Sequence, residues 1–396
     1  MTETKALRAK ILMMAVIAGA VVTNIYCNQP ILPLIAGGLG VTQAQADLVA
    51  GAALLGFATG MFLLLPLGDR FNRRTLILGQ TALTSLFAAV AALAPNLPVL
   101  LLASFFVGVF SCVPQQLTPF AAAISPPAER GRSVGTVVSG IMVGILVGRT
   151  ISGAIGAAYG WRAVFATEAA FMLPVGLLAA WLLPDGKPMT NLSYGKLMAS
   201  LVPLAASHRP IRESMVVQSL LWACFNAFWV NCAALLKDGP LHLDSAWAGG
   251  FGIIGAAGAF AASLGGRVAD RLGARWVVGA SIVIVIAAYA ILFGAASSLP
   301  LLIAGVIVLD LGVQAGLVSN QTRAFAVDRT AQGRINTLYM TTVFVGGAVG
   351  ASVSGWLMQR FGWQGVALFA LSLAAVAGLY HWIGSRRRSL ISCEGV

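Results

Sequence analysis

The heptapeptide GDRFNRR, Gly68 to Arg74, returns in altered form as ADRLGAR, Ala269 to Arg275, with Asp69 and Asp270 201 positions apart. Nearly the same spacing recurs on either side of it. GRSVGTVVSG from Gly131 corresponds to GRINTLYMTT from Gly333, and GWRAVF from Gly160 to GWQGVALF from Gly362, both at an offset of 202. Asn24 and Asn226 share that offset. One coincidence carries little, but several at one spacing divide the chain into two homologous halves. The division predicted is 1–183, a connecting segment 184–213 rich in Pro, Gly, Lys and Arg, and 214–396.

What each half contains follows from composition. The 396 residues are 58% hydrophobic and 10% charged, with mean hydropathy +0.87; soluble domains carry roughly 25% charged residues. Apolar stretches of the length that crosses a bilayer, about 17–25 residues, recur along the chain. Twelve are expected, near 11–34, 48–67, 76–94, 98–123, 135–158, 163–183, 214–236, 246–266, 276–295, 299–322, 335–357 and 364–383. A buried soluble-core helix would explain one such run, but not twelve in succession with short connections. The first run is too long for a cleavable leader, so it is expected to remain as a span. The fold class is therefore an all-α membrane protein, with six helices in each half.

Charge sets the expected orientation. Of the 25 basic residues, 21 fall in loops on the side of the N-terminus, including Arg70, Arg73 and Arg74, Arg267, Arg271 and Arg275, and Arg386 to Arg388. The opposite loops hold Arg162, Lys237 and Arg360. The positive-inside rule then places both termini in the cytoplasm of a multi-pass protein of the cytoplasmic membrane. The +12 net charge is spread over short membrane loops, which argues against a nucleic-acid partner. The expected partners are the lipid bilayer, a small-molecule substrate and protons.

Cys27, Cys112, Cys224, Cys232 and Cys393 show no metal-ligand spacing, and His208, His242 and His381 are scattered. No hydrolase triad, phosphate loop or zinc motif is present in the sequence, so neither an enzyme nor a cofactor is expected.

With GDRFNRR and its repeat in view, the chain resembles the major facilitator superfamily over nearly its full length. The resemblance implies two six-helix bundles that alternate access to a site between them, in a protein that works as a monomer. In the loop motif, Asp69, Arg70, Arg73 and Arg74 match, while Leu65 and Asn72 replace glycines. Asn72 is expected to take the left-handed conformation that glycine would supply. The second copy matches at Gly266, Asp270, Arg271, Gly273 and Arg275. The resemblance implies a conformational latch of charge-assisted hydrogen bonds; the plainer alternative is that these arginines only enforce topology. In GILVGRTISG, Gly144, Gly148 and Gly153 follow the glycine pattern of proton-coupled drug antiporters of this superfamily. Arg149 stands where that pattern has proline, and Ser152 where it has glycine. Small residues at this spacing also permit close helix packing.

Arg149 is thus a charge inside a span, at a cost of about 2.5–3.5 kcal/mol on insertion scales. Two carboxylates lie inside spans with it, Glu168 and Asp310. Asp310 is about 11 residues from its outer end, roughly 17 Å at 1.5 Å per residue; Arg149 is about 9 residues deep and Glu168 about 5. Depth leaves three outcomes open for Arg149: a pair with Asp310, a pair with Glu168, or a structural or water-solvated side chain. In each pairing the carboxyl is the candidate proton carrier, because arginine keeps its proton.

Other polar residues gather on the helices that line the cavity in the resembled fold. They are Asn24, Asn28 and Gln29 with Tyr26, then Gln115 and Gln116. Gln218, Asn226, Trp229 and Asn231 follow, and last Gln314, Asn320 and Gln321 beside Asp310. Amide-rich walls with aromatic rings suit a polar solute of low charge. The function expected is export of a drug, sugar or metabolite in exchange for protons. Proton-coupled uptake is the nearest rival, and a non-transporting receptor on the same scaffold is the rival from another class.

Overall fold

The structure is a computed structural model that describes residues 3–126, 129–185, 193–244, 246–252, 254, 273–328 and 331–393. Every regular element among the described residues is helical. Before the connecting segment lie α1 (Glu3–Tyr26), α2 (Leu32–Leu39), α3 (Gln43–Leu64), α4 (Leu67–Arg70), α5 (Arg73–Ala92), α6 (Leu97–Phe110), α7 (Val113–Ile124), α8 (Arg130–Tyr159) and α9 (Trp161–Leu182). The connecting segment holds α10 (Tyr194–Ala199) and α11 (Leu201–Ser207). After it come α12 (Arg209–Asp238), α13 (Ala274–Phe293), α14 (Leu299–Phe325) and α15 (Gln332–Cys393).

Ten segments among the described residues are long and apolar enough to cross a bilayer. The last, Gln332–Gly384, contains the eleventh and twelfth expected spans. They meet at Gly362, where φ is 64°, a left-handed value that only glycine adopts freely. The expected eighth span, 246–266, lies largely outside the described residues.

Two expected spans are interrupted, and proline explains both. The first ends at Tyr26, passes through a 3-10 turn at Gln29–Ile31 and resumes as α2, with Pro30 and Pro33 each in a first turn. The fourth breaks between Phe110 and Val113, because Pro114 lacks the N–H that an unbroken helix needs. Conversely, α12 begins at Arg209, five residues before the expected apolar span. Pro210 is tolerated in its first turn, and Arg209 pairs with Glu213 one turn on at 3.5 Å.

Helix starts follow local chemistry. Thr42 and Gln45 form a reciprocal capping box at α3, Asn96 caps α6 and Ser193 caps α10. Packing follows the small residues. A Cβ built on Gly144 of α8 would lie 2.1 Å from the Gly19 carbonyl oxygen of α1, and one on Gly140 2.3 Å from that of Ala15. These helices touch backbone to backbone, as small residues allow in lipid.

Across the connecting segment, α3 lies against α15. Gly51 faces Ser352, Gly355 faces the Asp47 carboxylate, and the rings of Phe57 and Phe344 meet edge to face at 4.6 Å. These contacts run from the middle of the bundle to one end. That end also holds the chain reversals where Gly38 packs on Trp161 and Arg162 donates to the Ala94 carbonyl.

Candidate functional site

Arg149 reaches the centre of the molecule because of its neighbours on α8. Gly148, one residue earlier, lets the helix press against Thr23 of α1. Three residues later comes Ser152, whose hydroxyl donates to the Arg149 carbonyl. The arginine is 2% exposed. Its Nε donates to Gln29 Oε1 at 3.1 Å. Its guanidinium carbon lies 3.8 Å from the ring centre of Trp229, 5.0 Å from Tyr26 and 5.6 Å from Phe225. Nη2 has no hydrogen-bond partner among the described residues.

These contacts make the burial tolerable without a carboxylate. A desolvated cation over an aromatic face gains about 2 kcal/mol, and a hydrogen bond to a charged group about 1.5–3 kcal/mol. Together they match the insertion cost. The break after Tyr26 takes part in this, because it turns Gln29 towards both sides. While Oε1 accepts from Arg149, Nε2 donates to Asn226 Oδ1 of α12 at 3.5 Å.

Asp310 is 3% exposed, and its Oδ1 accepts from Trp229 Nε1 at 3.3 Å. Among the described residues no ion pair joins Arg149 to Asp310 or to Glu168. The indole of Trp229 links the two charges instead, with its face on the cation and its N–H on the carboxylate. Both charged residues line one small cavity of ≈ 20 Å³ with Tyr26, Leu146, Trp222, Phe225 and Gln314. That volume admits a single water. Its walls come from α1 and α8 on one side of the connecting segment and from α12 and α14 on the other.

Glu168 lies elsewhere, beside the Cys27 thiol on the α1–α9 side. It is 8% exposed. Several amides expected in the cavity are used in helix packing. Asn24 donates to Met172 Sδ of α9, Gln116 to the Leu64 carbonyl, Asn231 to Ser354 Oγ and Gln321 to Asn336. Gln115 is half-buried on α7, and Asn28 is buried at the α1 break. Gln218 accepts from Asn320 and donates to the Val313 carbonyl, tying α12 to α14.

Two features escaped the sequence reading. Trp222 and Phe225 stack at 4.8 Å and share a face with Trp229; their spacing of three and four residues carried that signal. Asp47 is fully buried at the start of α3, accepting from Gln43 at 2.6 Å. It lies just before the expected second span, 48–67, and Gly355 of α15 packs on its carboxylate.

The loop motif is only partly within view, since the Asp69 side chain, Asp270 and Arg271 lie outside what is described. Arg70 is exposed and sits over Phe71. Arg73 is buried, donates to the Gly68 carbonyl at 3.1 Å and lies over Phe120. Arg74 pairs with Asp185 at 3.4 Å and bonds the Ala180 carbonyl. Arg275 is the second residue of α13, whose N-cap is Gly273 with φ 88°. Asn72 corrects an expectation. Its φ is −60°, not left-handed, and its side chain caps α5 by accepting from the Arg74 N–H. A cap needs extended backbone and a side-chain acceptor, which asparagine supplies and glycine cannot. Of the three glycines on α8, Gly144 and Gly148 face α1. Gly153 faces Gly249, whose neighbourhood is bound by Thr150 Oγ1 donating to the Gly249 carbonyl at 3.0 Å.

Ten apolar segments among the described residues, each long enough to cross a bilayer, thus accompany a small buried site that holds one cation and one carboxylate. Residues 14–263 and 242–391 match the model of the Major Facilitator Superfamily, and the chain belongs to that family. It is 36% identical over 382 residues to an uncharacterized transporter, YgaY, of Escherichia coli O157:H7, covering 96% of both chains. It is 30% identical to a probable transporter, SCO4007, of Streptomyces coelicolor, covering 94% of this chain and 85% of that one. The fold is similar to that of a bacterial homolog of the human lysosomal transporter Spinster, in an inward-facing and unoccupied conformation. The TM-score is 0.79 at 17% identity, over 96% of this chain and 97% of the other. The protein is thus a multi-pass secondary transporter of the major facilitator type.

Proposed function

We propose that this transporter couples the movement of a small organic solute to protons across the cytoplasmic membrane. Asp310 is the proton carrier and Arg149 the fixed charge that sets its field. The observation that carries the reading is the linkage of these two charges through Trp229, across helices from either side of the connecting segment. When the two sides part, the carboxyl exchanges an indole partner and an apolar wall for water. Desolvation and a nearby guanidinium act in opposite senses on a carboxyl's hold on its proton. Proton affinity then alternates with access.

The basic-loop asymmetry supports cytoplasmic termini. The closed end at Asp47 and Gly355 is then the outer one, and cysteines introduced at positions 97 and 200 should label from opposite sides. Labelling from one side would overturn that orientation. Resemblance to drug and sugar efflux members of the superfamily supports export in exchange for protons. Uptake together with protons is the second reading, favoured by the cation in the cavity that no carboxylate among the described residues pairs directly. Halves 1–183 and 214–396 would move as the rocking bodies, with the Asp69 and Asp270 loops as latches.

The test is proton movement in proteoliposomes, followed with a pH-sensitive dye, on addition of a panel of metabolites and antimicrobials. Asp310→Asn should abolish solute-induced proton movement and leave solute counterflow measurable. Retained coupling in Asp310→Asn with loss in Glu168→Gln would move the carrier to Glu168. Retention in both would end the coupling proposal. A chain that exchanges no solute at all would be the receptor.

A further inference from the structure

The Arg149 guanidinium is incompletely satisfied where satisfaction matters most. It is 2% exposed, no carboxylate pairs with it directly, and Nη2 lacks a partner among the described residues. It borders a cavity whose other walls are mostly rings and aliphatic chains: Tyr26, Leu146, Trp222 and Phe225, with the Gln314 amide at one side. Burying a cation without a counter-charge in direct contact is costly. The aromatic faces and Gln29 offset that cost but leave the N–H groups of Nη2 without an acceptor among the described residues. An acceptor with negative charge would use them, and a planar carboxylate fits the guanidinium fork.

We propose that the transported solute is a small organic anion with an apolar, ring-bearing body, whose acidic group docks on Arg149. The proposal rests on the transporter function above and names the substrate class of its central site. The ≈ 20 Å³ cavity is the closed form of that site. Because its walls belong to helices on both sides of the connecting segment, separation of the two sides enlarges it around Arg149. The rings of Tyr26, Trp222 and Phe225 then supply the apolar contact that small-molecule sites use for most of their area.

Charge balance adds a consequence. One cation and one carboxylate share the site, and a bound anion is accommodated most readily when Asp310 is neutral. The solute and the Asp310 proton therefore occupy the site together and travel in the same direction. This favours co-transport over exchange as the sign of coupling.

The experiment compares three ligands of one skeleton and different charge on the full-length protein in detergent: phenylacetate, phenylacetamide and phenethylamine. Phenylacetate should raise the melting temperature, and the amide and amine should not. Benzoate and 3-phenylpropanoate extend the anionic set. Arg149→Gln should weaken phenylacetate binding about tenfold or more, the loss of one hydrogen bond to a charged group, and Arg149→Lys should retain part of it. Equal stabilisation by the amide or amine, an undiminished response in Arg149→Gln, or no response to any of the three carboxylates would overturn the proposal. If Arg149→Gln does not fold, the ranking of the three charges on the unaltered protein decides. Phenylacetate that binds but moves without regard to a pH gradient leaves the anion site standing and removes proton coupling. A neutral or cationic solute that drives proton movement, with no carboxylate bound, does the reverse.

Discussion

The helix pair α12 and α14 carries buried charge at two levels, built on opposite plans. At one end Glu213, 2% exposed, accepts from Arg323 of α14 at 2.5 Å, with Arg209 at 3.5 Å. Sixteen residues along α12, about 24 Å at helical rise, Trp229 lies between Asp310 of α14 and Arg149. Opposite charges meet directly at the first level, whereas at the second an indole joins them by its face and its N–H. A direct pair has little to gain from a new partner, so it fixes the helices. A mediated pair leaves both charges without a direct partner in each other, and on the function proposed above one would take a proton and the other an anion.

The largest effect should come from breaking the direct pair. Glu213→Ala leaves Arg323, whose side chain is 9% exposed, as a buried cation beside Arg209. Loss of one partner of a buried pair costs about 3–5 kcal/mol. A marked fall in thermal stability in detergent is expected, and Glu213→Leu with Arg323→Met should recover most of it. Arg149→Gln should destabilise less, because its partners are uncharged. If Arg149→Gln proves the more damaging of the two, the central cluster is structural and the contrast fails.

A smaller effect should follow from disturbing the wall that delivers Arg149. The Gly144 position has backbone 2.1 Å from where a Cβ would stand, whereas nothing lies within 4 Å of that position at Gly135 on the same helix. Gly144→Ala should cost about 1–3 kcal/mol by overpacking, measured as a lower melting temperature, and Gly135→Ala should cost nothing. Equal responses would show that α1 and α8 slide freely, in which case Arg149 is not held by a rigid support.

The division of labour between sequence and structure follows from what each residue pattern encodes. Hydropathy and the repeat encode spans and their order, and the fold was legible from them. Proline breaks were visible as letters, at Pro30 and Pro114, but apolar residues on both sides hid them. Depth along a span can be counted, so Arg149, Glu168 and Asp310 were each recognised as buried charge. The direction a side chain takes around its helix depends on packing against distant segments. Glu168 therefore turned out to face Cys27, and Trp229 to occupy the gap between Arg149 and Asp310. Asp47 shows the same limit: only the arrival of Gly355 from α15 makes it buried. Trp229 was legible as a cavity residue, whereas Trp222 and Phe225, at helical spacing from it, read as ordinary core until the structure placed them beside the same charge.

The smallest change tests the contrast most directly. Trp229→Phe keeps an aromatic face for the guanidinium and deletes a single donor, the N–H that holds Asp310 at 3.3 Å. The loss amounts to roughly 0.5–1.5 kcal/mol for an ordinary hydrogen bond, so folding and melting temperature should change little. Asp310 is then free to turn towards Arg149 and form the direct pair that the indole prevents. The centre would come to resemble the Glu213 level, with its cation already engaged. Transport and phenylacetate binding should fall several-fold in a protein that folds normally, and Asp310→Asn in the same chain should restore the binding. If Trp229→Phe binds and transports like the unaltered protein, the N–H is not what keeps the charges apart. Trp229→Ala, which also removes the cation–π contact worth about 2 kcal/mol, would then show whether the ring alone does so.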